Sequence, residues 1–250
     1  MPKICAVICA RQRRNNVRYQ VHRGDWHRTI GLRGVGKTSL VQLLCHGEAT
    51  NNPAYTIGCS VEVALHEYKA GTADERTYFV ELWDIGGATQ HKNSRYIFYN
   101  PFHGIILVHD LTNRKSHQNL RKWLTEVLNK GTSKGNNREY NECDFDPEQF
   151  AGNQIPILVV GTKVDLAQSL RDNFLSKRST VAEECGAGEI NLDCKQKKFL
   201  APGSTNAVKV AKFFDKVIER RFYNRELGGQ FTSFSGGQNN RRYTKNSHCD

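Results

Sequence analysis

The residues with the clearest chemical potential lie in the glycine-rich stretch GLRGVGKT, at positions 31–38. Its glycines allow backbone conformations that turn several N–H groups toward one anion. In a loop of this pattern the lysine reaches the β and γ phosphates of a nucleotide, and the threonine hydroxyl binds Mg²⁺. A glycine-rich turn that only caps a helix would give the same pattern. The residues expected to hold phosphate are Gly34, Val35, Gly36, Lys37, Thr38 and Ser39.

Two further residues could complete a magnesium site beside this loop. Asp84 ends the apolar segment VELWD, and a carboxylate at that position can hold Mg²⁺ through water. Thr56 lies in the polar linker NNPAYTIG, where its hydroxyl could sense both the cation and a γ-phosphate. An ordinary turn after a strand and an ordinary linker threonine are the alternatives. The predicted metal residues are Thr38, Thr56 and Asp84.

A second group of residues could recognise a base. In GTKVD, at 161–165, the lysine stem can pack over a flat ring while Asp165 accepts two hydrogen bonds from a guanine edge. Adenine lacks that pair of donors, so the aspartate selects guanine. In NLDCK, at 191–195, two backbone N–H groups could reach the guanine carbonyl. A strand-end turn and a plain loop are the alternatives. The candidate base-binding residues are Thr162, Lys163, Val164, Asp165, Asp193 and Cys194.

Strands that alternate with helices must position these residues. Helical periodicity predicts three helices, in KTSLVQLLCHG with a stop at Gly47, in SHQNLRKWLTEVLNK and in TNAVKVAKFFDKVIERRF. Alternating polarity predicts an antiparallel pair of strands in CSVEVALHEYK and TYFVELWD. The short apolar runs GIILVHD and IPILVVGTKVD are typical of strands that are covered on both faces. This order predicts an α/β fold with a mostly parallel sheet and helices on both faces.

Taken together, these motifs resemble the Ras superfamily of small GTPases, in particular its Rab branch. The segments that carry the resemblance are GVGKTSLVQLLC, TIGCSVEV, VELWDIGG, VHDLTNRKS, NQIPILVVGTKVD, INLDC and STNAVKVAKFFDKVIE, between about Gly34 and Tyr223. The resemblance implies a P-loop fold with a six-stranded sheet, and GTP or GDP with Mg²⁺ as cofactors. Resemblance to Rab-like members further implies a homodimer that regulates the prenylation and signalling of Ras-type GTPases through their guanine-dissociation chaperone.

Three features depart from the family. The apolar first strand that leads into the loop is absent, because the residues before Gly31 read RGDWHRTI, and both VRYQV and KICAVICA lie too far upstream. Ala88 stands where the family carries the glutamine that orients the attacking water, so we expect very slow hydrolysis and assign no catalytic residue. Thr162 replaces the usual asparagine, which should loosen the grip on guanine while Asp165 keeps the selectivity.

The 250 residues suit one domain with additions. We expect a basic extension at 1–27, a GTPase-like domain at 28–225 with an insertion at 131–154, and a disordered tail at 226–250 rich in Gly, Ser and Asn. The net charge of +11 comes largely from arginines near the two ends, and no aromatic–basic motif indicates nucleic-acid binding. The insertion predicts a surface loop, with a partner contact as the alternative.

Composition also limits the compartment. No apolar run approaches the roughly 20 residues that cross a membrane, and NSHCD matches neither common prenylation signal, so we expect no stable membrane anchor. The eight cysteines show no zinc spacing and are expected as buried free thiols in the cytoplasm. Two functions therefore remain: a GTP-binding switch with weak or no hydrolysis, and a nucleotide-free scaffold for protein–protein interaction.

Overall fold

The computed structural model of the chain describes residues 4–6, 8–12, 29–31, 34–48, 53–88, 95–99, 102–128, 155–167 and 179–223. The predicted insertion at 131–154, the tail at 226–250 and the segment VRYQV lie outside these residues, so the predicted domain boundaries remain predictions. Within the described part of the chain, no helix has the length and apolar character needed to span a membrane.

The strands are β1 (Ile4–Ala6), β2 (Ile8–Gln12), β3 (Thr29–Gly31), β4 (Cys59–Tyr68), β5 (Arg76–Ile85), β6 (Ile105–Asp110), β7 (Ile157–Thr162) and β8 (Gly188–Asn191). The α-helices are α1 (Lys37–His46), α2 (Arg114–Gln118), α3 (Leu120–Leu128), α4 (Val164–Ala167), α5 (Thr180–Glu184) and α6 (Thr205–Ile218). Short 3₁₀ turns cover Tyr96–Phe98 and Lys197–Leu200, and a π turn at Glu219–Tyr223 follows α6.

The sheet has eight strands among the described residues, in the order β2-β5-β3-β1-β6-β7-β8 with β4 on the outside of β5. Strands β6, β7 and β8 are parallel to one another. The prediction of six mostly parallel strands is therefore corrected, because four of the seven pairings are antiparallel. The parallel part of the sheet is nevertheless where the predicted base-binding turns begin.

The space between β5 and β6 accounts for the extra strands. Three short segments fill it: β3 runs parallel to the end of β5, β2 runs antiparallel to the rest of β5, and β1 joins β3 to β6. The prediction that no strand leads into the phosphate loop is thus wrong, since Thr29–Gly31 pairs with Asp84 and Ile85. Buried backbone N–H and C=O groups of β5 and β6 need hydrogen-bond partners. The backbone of a polar segment can supply them as well as that of an apolar segment.

Helices cover both faces of the sheet, as predicted. All six residues of β6 and of β7 are buried, and successive side chains point to opposite faces. Ile106 and Val160 pack in one core with α1 and α6. Leu107 and Val159 pack in a second core with α3 and α5. Burial on both sides explains why these strands are continuous apolar runs.

The local elements that carry the site follow their sequence patterns closely. Helix α1 ends at Gly47, whose φ of 64° closes the helix with a hydrogen bond to the carbonyl of Leu43. Strands β4 and β5 form the predicted antiparallel pair over their full lengths. The predicted helix at 116–130 is instead two helices, α2 and α3, with a break at Asn119.

Candidate functional site

The phosphate loop lies between β3 and α1 and has the backbone that its glycines predict. Gly34 and Gly36 have φ values of +81° and +91°, which side chains with a Cβ seldom tolerate. Gly36 is the N-terminal cap of α1, and Lys37 is the first residue of the helix. Val35 is buried, while Thr38 and Ser39 are partly exposed in the first turn. The loop therefore presents the positive end of a helix dipole beside its N–H groups.

Lys37 is almost fully buried at this point. Burial lowers its pKa to about 8; the carboxylate of Asp84 opposes this shift, and the guanidinium of Arg95 adds to it. A buried ammonium gains energy when an anion binds next to it, because the anion replaces the lost hydration. The environment of Lys37 thus suits a phosphate.

The three predicted metal residues are brought together. The hydroxyls of Thr38 and Thr56 both donate to Oδ2 of Asp84, at 2.5 and 2.9 Å, and lie 3.2 Å from each other. Asp84 is only 1% exposed. Among the described residues its second oxygen, Oδ1, has no hydrogen-bond partner. Two hydroxyls and a buried carboxylate with an oxygen to spare match the oxygen ligands that Mg²⁺ prefers.

Gly86, the next glycine after Asp84, allows the Thr56 linker to approach. The N–H of Gly86 donates to the carbonyl of Gly58 at 2.8 Å. A Cβ at residue 86 would lie 2.6 Å from the carbonyl oxygen of Thr56. The close approach needs the absence of a side chain at residue 86.

Thr162 joins the base-binding turn to the phosphate loop. Its side chain is fully buried, and its hydroxyl lies 2.5 Å from the carbonyl oxygen of Val35 and 2.9 Å from that of His109. One hydroxyl proton serves both carbonyls, whereas the amide of an asparagine would offer two protons. With threonine in place of asparagine, the link between the two turns is therefore kept, but with one donated proton fewer.

The other residues of GTKVD surround the end of β7. Lys163 has a φ of +60°, and its Nζ lies 2.6 Å from Oδ2 of Asp110. Val164 and Asp165 begin the short helix α4, where Asp165 is exposed. An exposed carboxylate at the end of a buried strand is accessible to a planar base.

The loop after β8 contacts the phosphate loop directly. Asp193 is buried, and its carboxylate accepts hydrogen bonds from the N–H of Lys195 and the amide of Gln196, at 2.8 and 2.6 Å. Cys194 places its Sγ 3.7 Å from the carbonyl oxygen of Gly36. The pKa of the Cys194 thiol is raised to about 12, first by burial and then by the nearby carboxylates of Asp193 and Asp165. The N–H of Val164 donates to the carbonyl of Leu192 at 3.5 Å, so the two candidate base-binding turns are neighbours.

The cysteines agree in part with their prediction. Cys45, Cys59, Cys185 and Cys194 are free thiols, but only Cys194 is fully buried.

Sequence reasoning missed a buried arginine next to Ala88. The Nη1 of Arg95 lies 3.4 Å from the carbonyl oxygen of Ala88, and its guanidinium stacks 4.3 Å from the ring centre of Trp123. The same guanidinium pairs with Glu126 of α3 at 3.2 Å, and Glu126 also accepts from the hydroxyl of Tyr99 at 2.6 Å. The arginine ties the residue at the position of the catalytic glutamine to the interior of the domain.

Asp110 was also missed, although its place could have been read from the sequence. It ends the buried run GIILVHD, directly beside the parallel strand that ends in Thr162. Carboxyl ends of neighbouring parallel strands meet at one edge of a sheet. An acidic residue there faces the lysine of GTKVD, so strand order alone predicts the pair.

Comparison with known proteins agrees with this geometry. A model of the Ras family matches residues 29–222, which include β3. Rab-like protein 3 of Mus musculus is 50% identical over 230 residues, which are 88% of this chain and 95% of that protein. Rab-like protein 3 of Homo sapiens is 50% identical over 210 residues, covering 82% of this chain and 88% of that protein. The small GTPase LIP1 of Arabidopsis thaliana is 31% identical over 222 residues, covering 79% of this chain and 63% of that protein.

Proposed function

This chain belongs to the Ras family of small GTPases, and from that premise we propose that it is a guanine-nucleotide-binding switch with weak or no intrinsic hydrolysis. The observation that carries the proposal is the convergence of Thr38 and Thr56 on the buried carboxylate of Asp84. That arrangement joins the phosphate loop, the linker and the end of β5 at one point. A cation bound there would make the position of Thr56 depend on the nucleotide.

The residues around this point fit GTP or GDP with Mg²⁺. Thr38, Thr56 and Asp84 would hold the cation, and Gly34 to Ser39 would hold the phosphates with the ammonium of Lys37. The cation would neutralise charge between the β and γ phosphates. Thr162, Lys163, Val164 and Asp165 would hold the base together with Asp193 and Cys194.

Slow hydrolysis follows from residue 88. The methyl side chain of Ala88 cannot orient a water, and the carbonyl of this residue accepts a hydrogen bond from Arg95. The proposed protein would therefore change state mainly by exchange of nucleotide or by the action of partners. A hydrolysis assay with purified chain and GTP should give a rate near that of solution.

The nucleotide content of the purified chain tests the proposal most directly. The protein is denatured, and the released material is separated by HPLC. About one mole of GDP or GTP per mole of chain is the expected result. A folded chain that carries no nucleotide, and binds no added GTP with Mg²⁺, would contradict the proposal.

Guanine selectivity is tested with Asp165→Asn. The amide can no longer accept two hydrogen bonds from the guanine edge, so we expect weaker GDP binding and a smaller preference for guanine over other bases. Asp74→Asn is the matched control, because Asp74 is exposed in the turn between β4 and β5. Equal affinities of both variants for GDP would exclude Asp165 from base recognition.

The proposed output is contact with other proteins in the cytoplasm. By resemblance, the partners are a second copy of the chain and the guanine-dissociation chaperone of small GTPases, and the effect is regulation of GTPase prenylation and signalling. An exposed apolar row on β4, at Val61, Val63 and Leu65, supports a protein contact, since Leu65 is 62% exposed. Its neighbour on β5 is Phe79, opposite Leu65.

Leu65→Glu tests that contact. The charge should weaken self-association in sedimentation or light scattering and leave nucleotide content unchanged, since residue 65 lies at the far end of β4 from Thr56. Glu67→Lys, two residues along the same face, is the control. A wild-type chain that is monomeric at all accessible concentrations would contradict the homodimer.

A nucleotide-free scaffold is the second candidate. The observation that favours it is that three short strands, β1, β2 and β3, lie between β5 and β6. The strand that leads into the phosphate loop, β3, has only three residues. A short support would hold the loop less firmly. The HPLC experiment separates the two candidates.

A further inference from the structure

Asp110, at the end of β6, holds the head of Lys163. Its Oδ2 lies 2.6 Å from Nζ of the lysine. Its Oδ1 accepts hydrogen bonds from the backbone N–H and the hydroxyl of Thr112, at 2.9 and 2.6 Å. The carboxylate side chain is 8% exposed, whereas the lysine side chain is 34% exposed. Asp110 is therefore held in place by the protein, whereas the Lys163 side chain is partly accessible to a ligand.

The surroundings of Asp110 make it a fixed anchor. Its N–H donates to Oγ of Ser116 at 2.9 Å, and the Ser116 hydroxyl is directed back to the carbonyls of Asp110 and Asn113. The N–H of Leu111 donates to the carbonyl of Thr162 at 3.1 Å. The ends of β6 and β7 are thus joined by main-chain contacts as well as by the ion pair.

The charge of Asp110 is also secured. Burial by itself would raise the pKa of this carboxyl, but the hydrogen bonds from Lys163 and Thr112 outweigh burial and hold the pKa below its usual value. The carboxylate is therefore ionised at neutral pH, and it can hold the lysine before any ligand arrives.

The backbone and the side chain of Lys163 both need to be held in place if the lysine is to bind a ligand. Its φ of +60° is a left-handed conformation that residues other than glycine seldom adopt. Its four-carbon stem is flexible, and ordering a flexible side chain on binding lowers affinity. An ion pair that forms in advance removes part of that loss.

We propose that Asp110 is a positioning residue for guanine-nucleotide binding, which holds the ammonium of Lys163 at the end of β6 so that the lysine stem lies along the base. The inference rests on the proposed function and adds a residue to it. Asp110 acts only through Lys163 and does not touch the nucleotide.

The test is Asp110→Asn in the full chain. The amide has nearly the same shape and keeps an oxygen for Thr112, but it removes the ion pair. Two quantities are measured: the rate at which acetic anhydride acetylates Lys163, by mass spectrometry on chain stripped of nucleotide with EDTA, and the Kd for GDP, by calorimetry. We expect faster acetylation, because the amine is released, and GDP binding weaker by about three- to tenfold, the effect of ordering one such side chain.

Three controls separate positioning from general damage. Asn113→Ala removes a side-chain hydrogen bond of the same turn, from the N–H of Lys115 to Oδ1 of Asn113, which touches neither Asp110 nor Lys163, and should change neither quantity. Asp110→Asn should have no further effect on GDP binding when Lys163 is already methionine, because the two residues act as one unit. Lys163→Arg can still pair with Asp110 and should bind GDP within about threefold of wild type, a test that does not depend on the folding of Asp110→Asn.

Several results would overturn the proposal. They are unchanged acetylation of Lys163 in Asp110→Asn, an equal loss of GDP affinity with and without the lysine, or a loss in Lys163→Arg as large as in Lys163→Met. The acetylation rates need no nucleotide. A chain that binds none would therefore overturn the proposed function, while the rates still decide whether Asp110 holds Lys163.

Discussion

The hydroxyl of Thr162 lies 2.5 Å from the carbonyl oxygen of Val35, a residue 127 positions earlier in the chain. This single contact fixes the distance between the phosphate loop and the turn that would hold the base. A nucleotide that spans both parts needs that distance to stay constant.

Thr162→Val should therefore weaken both the fold and nucleotide binding. Valine has nearly the shape of threonine, but it leaves the carbonyls of Val35 and His109 without this donor. An unsatisfied buried acceptor costs about 1–3 kcal/mol, which urea unfolding of the nucleotide-free chain would measure. Thr125→Val is the control, because Thr125 makes a similar hydrogen bond on the exposed surface of α3. Equal stability of the two variants would contradict the role of the tether.

Lys37→Met should separate stability from binding. The pKa of Lys37 is lowered to about 8, mainly by burial, so its charge opposes folding below that pH. Removing the charge should raise the stability of the nucleotide-free chain at pH 7 by on the order of 1–3 kcal/mol. The same change should abolish the increase in melting temperature that GDP with Mg²⁺ produces. The stability of the wild-type chain should rise between about pH 8 and 10.5, where the folded state loses the proton first.

A variant that is less stable than wild type and still responds to GDP would exclude this account of Lys37. Lys209→Met, on the exposed surface of α6, is a suitable control.

Gly86→Ala should displace the Thr56 linker. The new Cβ would lie 2.6 Å from the carbonyl oxygen of Thr56, which is too close for any real contact. We expect overpacking of about 1–3 kcal/mol and a higher Mg²⁺ concentration for half-maximal retention of nucleotide. Gly188→Ala is the control, since its nearest neighbour would be Cδ1 of Leu158 at 3.3 Å. The same Mg²⁺ requirement in both variants would show that the linker does not need this close approach.

His109 should make the fold sensitive to acid. It is buried against His117, with ring centres 5.1 Å apart, and neither ring nitrogen has a partner among the described residues. Its pKa is lowered to about 3, mainly by burial and to a smaller extent by His117, while Asp110 opposes the shift. The unfolded chain takes up this proton below about pH 6.5, so the contribution of His109 is complete above that pH and is lost as the pH falls toward 3.

The measurement is urea unfolding at pH 7.5 and pH 5.5. His109→Phe keeps a ring of similar size and removes the titration, so its stability should fall by about 1.4 kcal/mol less than that of wild type over this interval. His46→Gln, at a more exposed histidine, serves as the control. An equal loss in wild type and His109→Phe would rule out the buried imidazole as the cause.

The sequence predicts those elements whose buried face can be identified from their own residues. The periodicity of α1 and the alternation in β4 and β5 are sufficient, because each pattern matches one face of one element. The strands β1 and β2 could not be predicted in this way. Their positions depend on a space between β5 and β6, and distance along the chain from Gly34 was the wrong measure of whether they could fill it.

The residues of the candidate site also differ in how far the sequence predicts them. The proximity of Thr38, Thr56 and Asp84 could be predicted from the motifs that contain them. Their binding of a metal ion stays a prediction. Asp110 and Arg95 contact other groups of the protein, and only the packed fold brings Arg95 to the carbonyl of Ala88. Residues of this kind carry no motif of their own.

The first strands of the chain also bear on its synthesis. Ala6 pairs with Ile106, and Ile8 pairs with Leu82, so both strands leave the ribosome long before their partners exist. At roughly 5–20 residues per second, these two strands are without the partner strands β6 and β5 for about 4–20 s of synthesis. Slower translation of the intervening residues would lengthen that interval.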